Sequence, residues 1–263
     1  MHRTVGFGIA GGQGHRGHGE RCVPEEVPMA FRVNCSDYAV MLASPADIED
    51  FVHGFLRSEG LVRDPADITG LRIGALPEGL VLRITLREGI AADAARAERR
   101  VAGATGCGLC GVESLRDAIK PMPWLPDGPV IAPAAIRRAV AMLGGWQPGN
   151  DVSGALHAAA FADPGGRIRL SREDVGRHNA LDKLLGALSR ASMDSADGFV
   201  LMTSRCSFEL VQKAARCGVR VLCTMSTPTA LAVRLAHRAN LSLVQAGRRG
   251  DLLLLAGEPR VGT

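Results

Sequence analysis

The first ninety or so residues alternate between apolar and polar positions in a way that predicts strands. Residues 29–33 and 38–42 show this alternation on either side of a polar turn at 34–37, as expected for two paired strands. Ser44 and Pro45 then open a predicted helix that Gly60 ends. Its apolar residues recur at helical spacing: Ile48, Phe51, Val52, Phe55 and Leu56. Two further strands are predicted at 71–74 and 80–86.

The second half alternates strands with helices, after an Ala-rich segment at 90–101 and a proline-rich stretch at 121–129 that predicts an irregular connection. A hairpin is predicted from 156–161 and 168–171 around a turn at 163–166. Further strands are predicted at 199–202, 219–223, 241–244 and 252–255, and helices at 178–188, 208–216 and 228–239. This alternation predicts an α/β fold, a mixed central sheet with helices on both faces.

These patterns divide the chain into four predicted parts. Residues 1–24 are Gly- and His-rich and are expected to form a disordered tail, and 25–104 a smaller N-terminal α/β subdomain. Residues 105–128 are expected to be a flexible loop with the proline-rich connection, and 129–263 a larger α/β domain.

Composition narrows the possible functions. The 263 residues are 46% hydrophobic and 22% charged, which is typical of a soluble globular protein. The net charge of +4 gives no support to nucleic-acid binding, and no apolar run approaches the length of a membrane span. Seven cysteines, an odd number without a disulfide-type spacing, favour a reducing cytoplasm.

The most informative motif is a pair of cysteines among glycines, Thr105-Gly106-Cys107-Gly108-Leu109-Cys110-Gly111. Glycines leave both sulfurs accessible, and the pair has four interpretations: a structural zinc site, a dithiol–disulfide exchanger, incidental buried cysteines, or a sulfur carrier. Zinc would need four ligands, and no second Cys-x-x-Cys is present, so no structural metal is expected. A carrier needs an accessible thiolate, which the N-terminus of a predicted helix at 112–119 would favour.

A second motif runs from Glu173 to Lys183 and carries Gly176 before a predicted helix. Arg177, His178 and Asn179 then lie at a helix N-terminus, which attracts anions; an ordinary polar first turn is the alternative. Two more strand-to-helix junctions have the same character, and in such folds these junctions meet at one sheet edge, where ligands bind. Their candidate residues are Ser204, Arg205, Ser226 and Thr227. Together the junctions predict a phosphate pocket.

The last loop joins two apolar strands and consists of Ala246, Gly247, Arg248, Arg249, Gly250 and Asp251. It is either a solvated turn or a Gly–Arg clamp on a pyrophosphate. His157 stands in an apolar strand, where a hydrogen-bonded core histidine is the favoured interpretation.

Long ordered motifs resemble those of the FdhD family, the formate dehydrogenase accessory sulfurtransferases, from about residue 25 to 260. The motifs are Glu25-Glu26-Val27-Pro28, Cys107-Gly108-Leu109-Cys110-Gly111-Val112-Glu113, Asp174-Val175-Gly176-Arg177-His178-Asn179-Ala180-Leu181-Asp182-Lys183 and Val211-Gln212-Lys213-Ala214.

The resemblance implies a sulfurtransferase that takes sulfur from a cysteine desulfurase as a cysteine persulfide. The sulfur passes to the molybdenum (or tungsten) bis-molybdopterin guanine dinucleotide cofactor, which formate dehydrogenase requires. Cys107 would hold the persulfide, Cys110 would assist, and residues 246–251 would bind nucleotide. It also implies a cytidine-deaminase-like core without the deaminase zinc signature. A homodimer is expected on general grounds.

Two residues depart from the family pattern. Cys206 stands where a small residue is expected, so its thiol is either incidental or redox-active, and Asp251 stands where a neutral or basic residue is expected. Two other functions stay open: a non-catalytic cofactor chaperone and a thiol–disulfide oxidoreductase.

Overall fold

The structure is a computed structural model that describes residues 2–8, 17–90, 121–247, 250–257 and 260–262. The cysteine motif with Cys107 and Cys110, the Ala-rich segment, the predicted helix at 112–119, and Arg248 and Arg249 lie outside these residues.

The chain begins with an antiparallel hairpin of β1 (His2–Gly8) and β2 (Gly17–Val23). Two strands therefore stand where the sequence predicts a disordered tail. The seven-residue ladder pairs the backbone N–H and C=O groups of both segments. A glycine-rich composition gives no indication of this pairing.

The N-terminal domain is a four-stranded sheet covered by one helix. Its strands are β3 (Val27–Val33), β4 (Ser36–Ala43), β5 (Ile68–Leu76) and β6 (Gly79–Leu86), in the order β4-β3-β6-β5, and its helix is α1 (Ile48–Glu59). Gly60 ends α1 with a φ of 82°, a left-handed conformation that favours glycine. Phe31, Phe51 and Phe55 pack between sheet and helix.

The C-terminal domain is built on a six-stranded sheet with the order β12-β11-β10-β9-β7-β8. The strands are β7 (His157–Ala162), β8 (Ile168–Asp174), β9 (Phe199–Met202), β10 (Val221–Thr224), β11 (Ser242–Ala246) and β12 (Leu252–Ala256). The helices are α2 (Pro133–Met142), α3 (Pro148–Ser153), α4 (Arg177–Arg190), α5 (Phe208–Arg216) and α6 (Ala230–Arg238). Short 3₁₀ helices occur at Pro65–Asp67, Leu143–Trp146 and Ser195–Asp197.

Helices cover both faces of this sheet, as predicted. One core contains apolar side chains of α4, α5 and α6, and a second core on the opposite face contains those of α2. The mixed α/β architecture is therefore confirmed, while the likeness to cytidine deaminases and the four domain boundaries stay predictions.

Helices α2 and α3 have no counterpart in the sequence prediction. Pro133 and Pro148 each stand in the first turn of their helix, where the missing N–H costs nothing, and both lie beyond the proline-rich stretch at 121–129. Ala135, Ile136 and Ala139 form the buried stripe of α2.

The two domains meet where α1 crosses α4 at a pair of glycines. A Cβ on Gly54 would lie 1.7 Å from the backbone oxygen of Asp182, and one on Gly186 would lie 1.9 Å from that of Asp50. Only glycine permits this approach, so the two helix backbones are in direct contact.

No helix in the described part of the chain is both long and apolar enough to cross a bilayer.

Candidate functional site at the strand ends

The topology brings the predicted junctions to one edge of the six-stranded sheet. Strands β9, β10 and β11 are parallel, and β8 shares their direction because β7 is antiparallel to both β8 and β9. The carboxyl ends of β8 to β11 therefore lie at the same edge, together with the first residues of β7 and β12. This edge is where ligands bind in open α/β sheets.

Asp174 ends β8 and is fully buried at the centre of a hydrogen-bond network. Its carboxylate accepts from Ser44 N (3.0 Å), Gly176 N (2.8 Å) and Asn179 Nδ2 (2.9 Å), and it forms an ion pair with Lys183 Nζ (2.7 Å). Lys183 is also fully buried and donates to Ser44 O at 2.9 Å. These contacts join the N-terminal domain to the start of α4.

A second buried ion pair lies further along the same helix. Lys213 Nζ binds Asp182 Oδ2 at 2.8 Å, and the Ser58 hydroxyl, which accepts from Lys213 at 2.9 Å, donates to Asp182 Oδ1 at 2.6 Å. Burial lowers the pKa of Lys213, but the carboxylates of Asp182 and Glu59 outweigh it and hold that pKa above its ordinary value. We call Asp174, Lys183, Asp182, Lys213 and Ser58 the interdomain cluster.

Asn179, a predicted cofactor contact, contributes its side chain to the domain interface. Its Nδ2 donates both to Asp174 and to Leu42 O (2.8 Å), and the residue is buried. A Cβ on Gly176 would come within 2.9 Å of that Nδ2, so glycine at this turn lets Asn179 reach its partners. The second motif is therefore partly structural.

Arg177 and His178 start α4 at the open edge. Arg177 is half-buried, and no hydrogen bond joins its guanidinium to the described residues, which leaves it available to an anion. His178 Nε2 lies 2.9 Å from Glu209 Oε2 and 3.4 Å from Ser207 Oγ, so this ring is held by the start of α5.

The other two predicted junctions also lie at this edge. Ser204 is buried, and its hydroxyl donates to Arg205 O at 3.0 Å, whereas the Arg205 side chain is exposed. Ser226 accepts from Thr224 Oγ1 through its backbone oxygen at 3.0 Å, and Thr227 is exposed. The sequence placed the start of α6 at Pro228, but the helix begins at Ala230, because the Thr229 hydroxyl accepts from Ala232 N and caps it.

Two hydrogen bonds join the described residues between β11 and β12 at the same edge. Gly247 N donates to Asp251 O (2.8 Å), and Gly250 N donates to Gly247 O (2.9 Å). Gly250 has a φ of 84° and its oxygen accepts from Arg137 Nε at 3.0 Å, which ties the loop to α2. Ala246 is buried at the end of β11, and Asp251 is exposed.

A cavity of about 860 Å³ opens between this edge and the α2–α3 segment. Its volume is within the roughly 300–1,000 Å³ typical of small-molecule sites. The strand side is formed by His157, Thr203, Met225 and Gly250, and the helical side by residues of the segment 137–156. Among the predicted site residues in the described part of the chain, only Gly250 lines it.

Three polar residues of the cavity have side-chain donors or acceptors that pair with no described residue, and we call Gln147, Asn150 and His157 the cavity cluster. The sequence favoured a hydrogen-bonded core histidine at 157, but no hydrogen bond joins this ring to the described residues. Burial, and then the positive charge of Arg177, lower the pKa of His157, so its imidazole is neutral at neutral pH.

Three of the cysteines are buried, which disfavours their thiolate form. Burial raises the pKa of Cys206 and of Cys217 to about 12, and raises that of Cys223 further. Because the thiolate is the reactive form, burial favours the incidental interpretation of Cys206 over the redox-active one.

Sequence reasoning missed the whole helical wall of the cavity. Gln147 and Asn150 stand among Gly144, Gly145, Pro148 and Gly149, a composition typical of a loop. Proline at a first helical position was the one local signal for α3.

Fold and site together define a mixed α/β protein with a ligand-sized cavity at the carboxyl edge of its larger sheet. A family model described as the FdhD/NarQ family matches residues 24–262, and the chain belongs to that family. The resemblance carried by the sequence motifs is thereby confirmed.

Relatives and one solved structure agree. A Bordetella petrii protein named sulfur carrier protein FdhD is 44% identical over 91% of this chain and 86% of its own length. A protein of the same name from Variovorax paradoxus is 43% identical over 88% of this chain and 84% of its own length. The crystal structure of a protein described as a formate dehydrogenase accessory protein from Desulfotalea psychrophila has a TM-score of 0.77 at 22% identity. It covers 99% of this chain and 98% of that one, which shows a shared fold.

Proposed function

We propose that this protein is a sulfurtransferase that carries sulfur to the molybdenum bis-molybdopterin guanine dinucleotide cofactor of formate dehydrogenase. A cysteine desulfurase is the donor, Cys107 holds the sulfur as a persulfide, and Cys110 assists. The protein acts in the cytoplasm, as a homodimer.

The observation that carries this proposal is that the relatives named sulfur carrier protein match along nearly the whole chain. The distribution of thiols supports it. Cys206, Cys217 and Cys223 are buried with raised pKa values. Cys22 is half-buried in β2, and Cys35 lies at the β3–β4 turn, the far end of that hairpin from the domain interface. The glycine-flanked pair therefore suits a carrier best.

In each of the two sulfur-transfer steps, a thiolate attacks an S–S bond and displaces another sulfur anion. The Cys107 thiolate attacks the terminal sulfur of the donor's persulfide, the S–S bond of the donor breaks, and the donor cysteine leaves as a thiolate. To release that sulfur as sulfide, the Cys110 thiolate attacks the Cys107 sulfur. This step forms a Cys107–Cys110 disulfide, which a small-molecule thiol then reduces.

The strand-end site suits the acceptor, a large polyanion with two pyrophosphates. The guanidinium of Arg177 pairs with no described residue and lies beside the first amides of α4, and Arg137 donates to the Gly250 oxygen after β11. The cavity of about 860 Å³ has room for one nucleotide end.

Intact-protein mass spectrometry tests the carrier role. After incubation with a cysteine desulfurase and cysteine, the wild-type chain should gain the mass of one sulfur atom, and Cys107→Ala should not. Cys206→Ala is the matched control, since this buried thiol should not take up sulfur. An equal gain in both variants would contradict the proposal.

Calorimetry with GDP tests the acceptor site. Arg177→Ala should weaken GDP binding about tenfold, because the variant loses one charge-assisted hydrogen bond. Arg138→Ala should leave the affinity unchanged, because that side chain binds Gly165 O at the opposite edge of the sheet. Equal GDP affinities of the wild-type chain and the two variants would show that Arg177 does not bind GDP.

Two other functions make different predictions. A cofactor chaperone would keep full activation of formate dehydrogenase when both loop cysteines are alanine. A thiol–disulfide oxidoreductase would turn over disulfide substrates without any pterin.

A further inference from the structure

We infer that the sheet face of the N-terminal domain that α1 leaves uncovered is the docking surface for the sulfur donor, a protein whose contact surface is apolar and flanked by carboxylates. This inference rests on the proposed function, because it assigns a place on this chain to one of the partners named there.

The alternation of side chains along the strands defines this face. The odd-numbered residues of β3 from Met29 to Val33, and the even-numbered residues of β6 from Leu82 to Leu86, belong to the core that α1 covers. Successive side chains of a strand point to opposite faces. The residues between them, with their neighbours in register on β4 and β5, therefore form the other face, which we call the open face.

Two rows of residues on the open face are apolar. The strand register places Val40, Ala30 and Val81 side by side in one row, and Leu42 and Pro28 in the next. Val40 is 59% exposed and Leu42 is 50% exposed. Val81 belongs to none of the buried apolar clusters of the described residues, which agrees with its place on this side of the sheet. Contiguous exposed apolar surface of this kind marks an interaction site.

A row of charged residues crosses the open face beside the apolar rows. The register places three arginines on three neighbouring strands: Arg32 on β3, Arg83 on β6 and Arg72 on β5. Asp37 on β4 stands beside Arg32 and pairs with it at 2.8 Å, whereas no hydrogen bond or ion pair joins the other two arginines to the described residues. A Cβ on Gly74 would lie 2.9 Å from Arg83 Nη1, so the Arg83 guanidinium extends over β5 on this face.

The pairing of Arg83 with Arg72 points to an anionic partner. The two residues are direct cross-strand partners on one face, and like charges in that position destabilise a sheet. Carboxylates of a bound protein would remove this repulsion, since arginine forms two parallel hydrogen bonds with a carboxylate. The apolar rows need apolar contacts from the same partner, which a free anion does not offer.

Two other occupants fit the open face less well. The same face of a second copy would bring further arginines to the contact, and its Asp37 carboxylate is already held by Arg32. Binding to an anionic membrane is favoured by lysines and by aromatic side chains at the lipid boundary, and the described residues of the open face include neither.

The order of the chain favours the sulfur donor over formate dehydrogenase. Strand β6 is the last described strand before the cysteine motif at 105–111, so the open face belongs to the part of the chain that leads to Cys107. A protein that collects the cofactor has to reach the carboxyl edge of the other domain's sheet instead.

Sulfur uptake by the full chain tests this docking surface, with intact-protein mass spectrometry at increasing concentrations of a purified cysteine desulfurase. Arg83→Glu should raise the half-saturating desulfurase concentration about tenfold and leave the maximal rate unchanged, because docking is weakened and the chemistry is not. Val40→Asp should do the same, because it places a carboxylate among the apolar rows. The half-saturating concentration of the wild type should rise with salt, and that of Arg83→Glu should rise less. Calorimetry with the same desulfurase measures the dissociation constant directly.

The controls are matched in residue type and exposure. Arg234→Glu makes the same charge change on an exposed residue of α6, and Val130→Asp replaces a valine that is 58% exposed, both in the C-terminal domain. Neither control should change the half-saturating concentration. Arg83→Glu also sets an acidic residue opposite Arg72, so its thermal midpoint should equal or exceed that of the wild type, which separates weaker docking from misfolding.

Each outcome bears on the inference. Equal half-saturating concentrations in the wild type and both open-face variants would overturn it, as would an equal increase in the two controls. Light scattering that finds both open-face variants monomeric and the wild type dimeric would assign the face to a second copy. Loss of binding to phosphatidylglycerol vesicles, with desulfurase binding intact, would assign it to a membrane. If the variants weaken desulfurase binding in calorimetry but wild-type Cys107 gains no sulfur, the docking surface is supported and the proposed function alone is wrong.

Discussion

The interdomain cluster and the cavity cluster lie on either side of the end of β8, and they differ in how completely their polar atoms are paired. In the interdomain cluster every charge faces an opposite charge within 2.8 Å, as Asp174 with Lys183 and Asp182 with Lys213 show. In the cavity cluster, the Gln147 amide and the His157 ring have no hydrogen-bond partner among the described residues. The paired groups hold the domains together, and the other ones line the cavity.

The comparison predicts its largest effect for Asp174→Ala. Removal of this carboxylate leaves the Lys183 ammonium buried without its counter-charge, which should lower the free energy of unfolding by about 3–5 kcal/mol in urea denaturation. Asp37→Ala breaks an exposed ion pair with Arg32 and should cost at most about 1 kcal/mol. Similar losses of stability in both variants would show that burial does not determine how much these ion pairs contribute to the free energy of unfolding.

The next effect concerns the helix crossing that brings the interdomain cluster together. Gly54→Ala places a methyl group against the Asp182 backbone and should lower the free energy of unfolding by about 1–3 kcal/mol or more. Gly145→Ala is the control, because nothing lies within 4 Å of its added Cβ, and should change stability by less than about 0.5 kcal/mol. A neutral Gly54→Ala would mean that α1 and α4 can separate freely.

A change in the cavity cluster should have the opposite sign. Gln147→Leu replaces a cavity-lining amide, which pairs with no described residue, by an apolar side chain, so the free energy of unfolding in the absence of ligand should stay equal or rise by up to about 1 kcal/mol. The same urea titration measures it. A loss above about 1 kcal/mol would reveal a structural role for this amide and weaken the contrast between the two clusters.

The smallest expected effect is a change in pH dependence. The pKa of His157 is lower in the folded chain than its ordinary value of 6.5, so the unfolded chain takes up a proton first as the pH falls. Stability should therefore be intact above about pH 6.5 and decline below it. His157→Gln should make the thermal midpoint fall less steeply between about pH 7 and pH 5. If the midpoint of the variant falls as steeply as that of the wild type, the effect belongs to another group, such as His53, whose pKa is also lowered by burial.

Elements with a strong period were predictable from the sequence. Helix α1 carries apolar residues at helical spacing up to Gly60, and β9 and α5 occur at the predicted residues because buried apolar runs there end at clear turn signals. The α2–α3 segment was not predicted, for two different reasons. The helical spacing of Ala135, Ile136 and Ala139 does indicate α2, whereas α3 lies among prolines and glycines that have the composition of a loop.

The site was predictable only where chain order places residues at strand ends. Arg177 and Gly250 lie at the expected edge because parallel strands bring their carboxyl ends together. One of the two partners of Asn179, by contrast, is Leu42 in the other domain, 137 positions earlier in the chain. No local pattern reports such a contact, and the same holds for the pairing of Glu173 with the start of α3.

Glu173 and Asp174 are consecutive, yet the first holds a wall of the cavity and the second holds the neighbouring domain. Successive side chains of a strand point to opposite faces. Deleting a single residue from the β7–β8 turn would thus exchange the directions of these two carboxylates. Both attachments would fail at once, and substitutions should be tolerated in that turn far more readily than changes in its length.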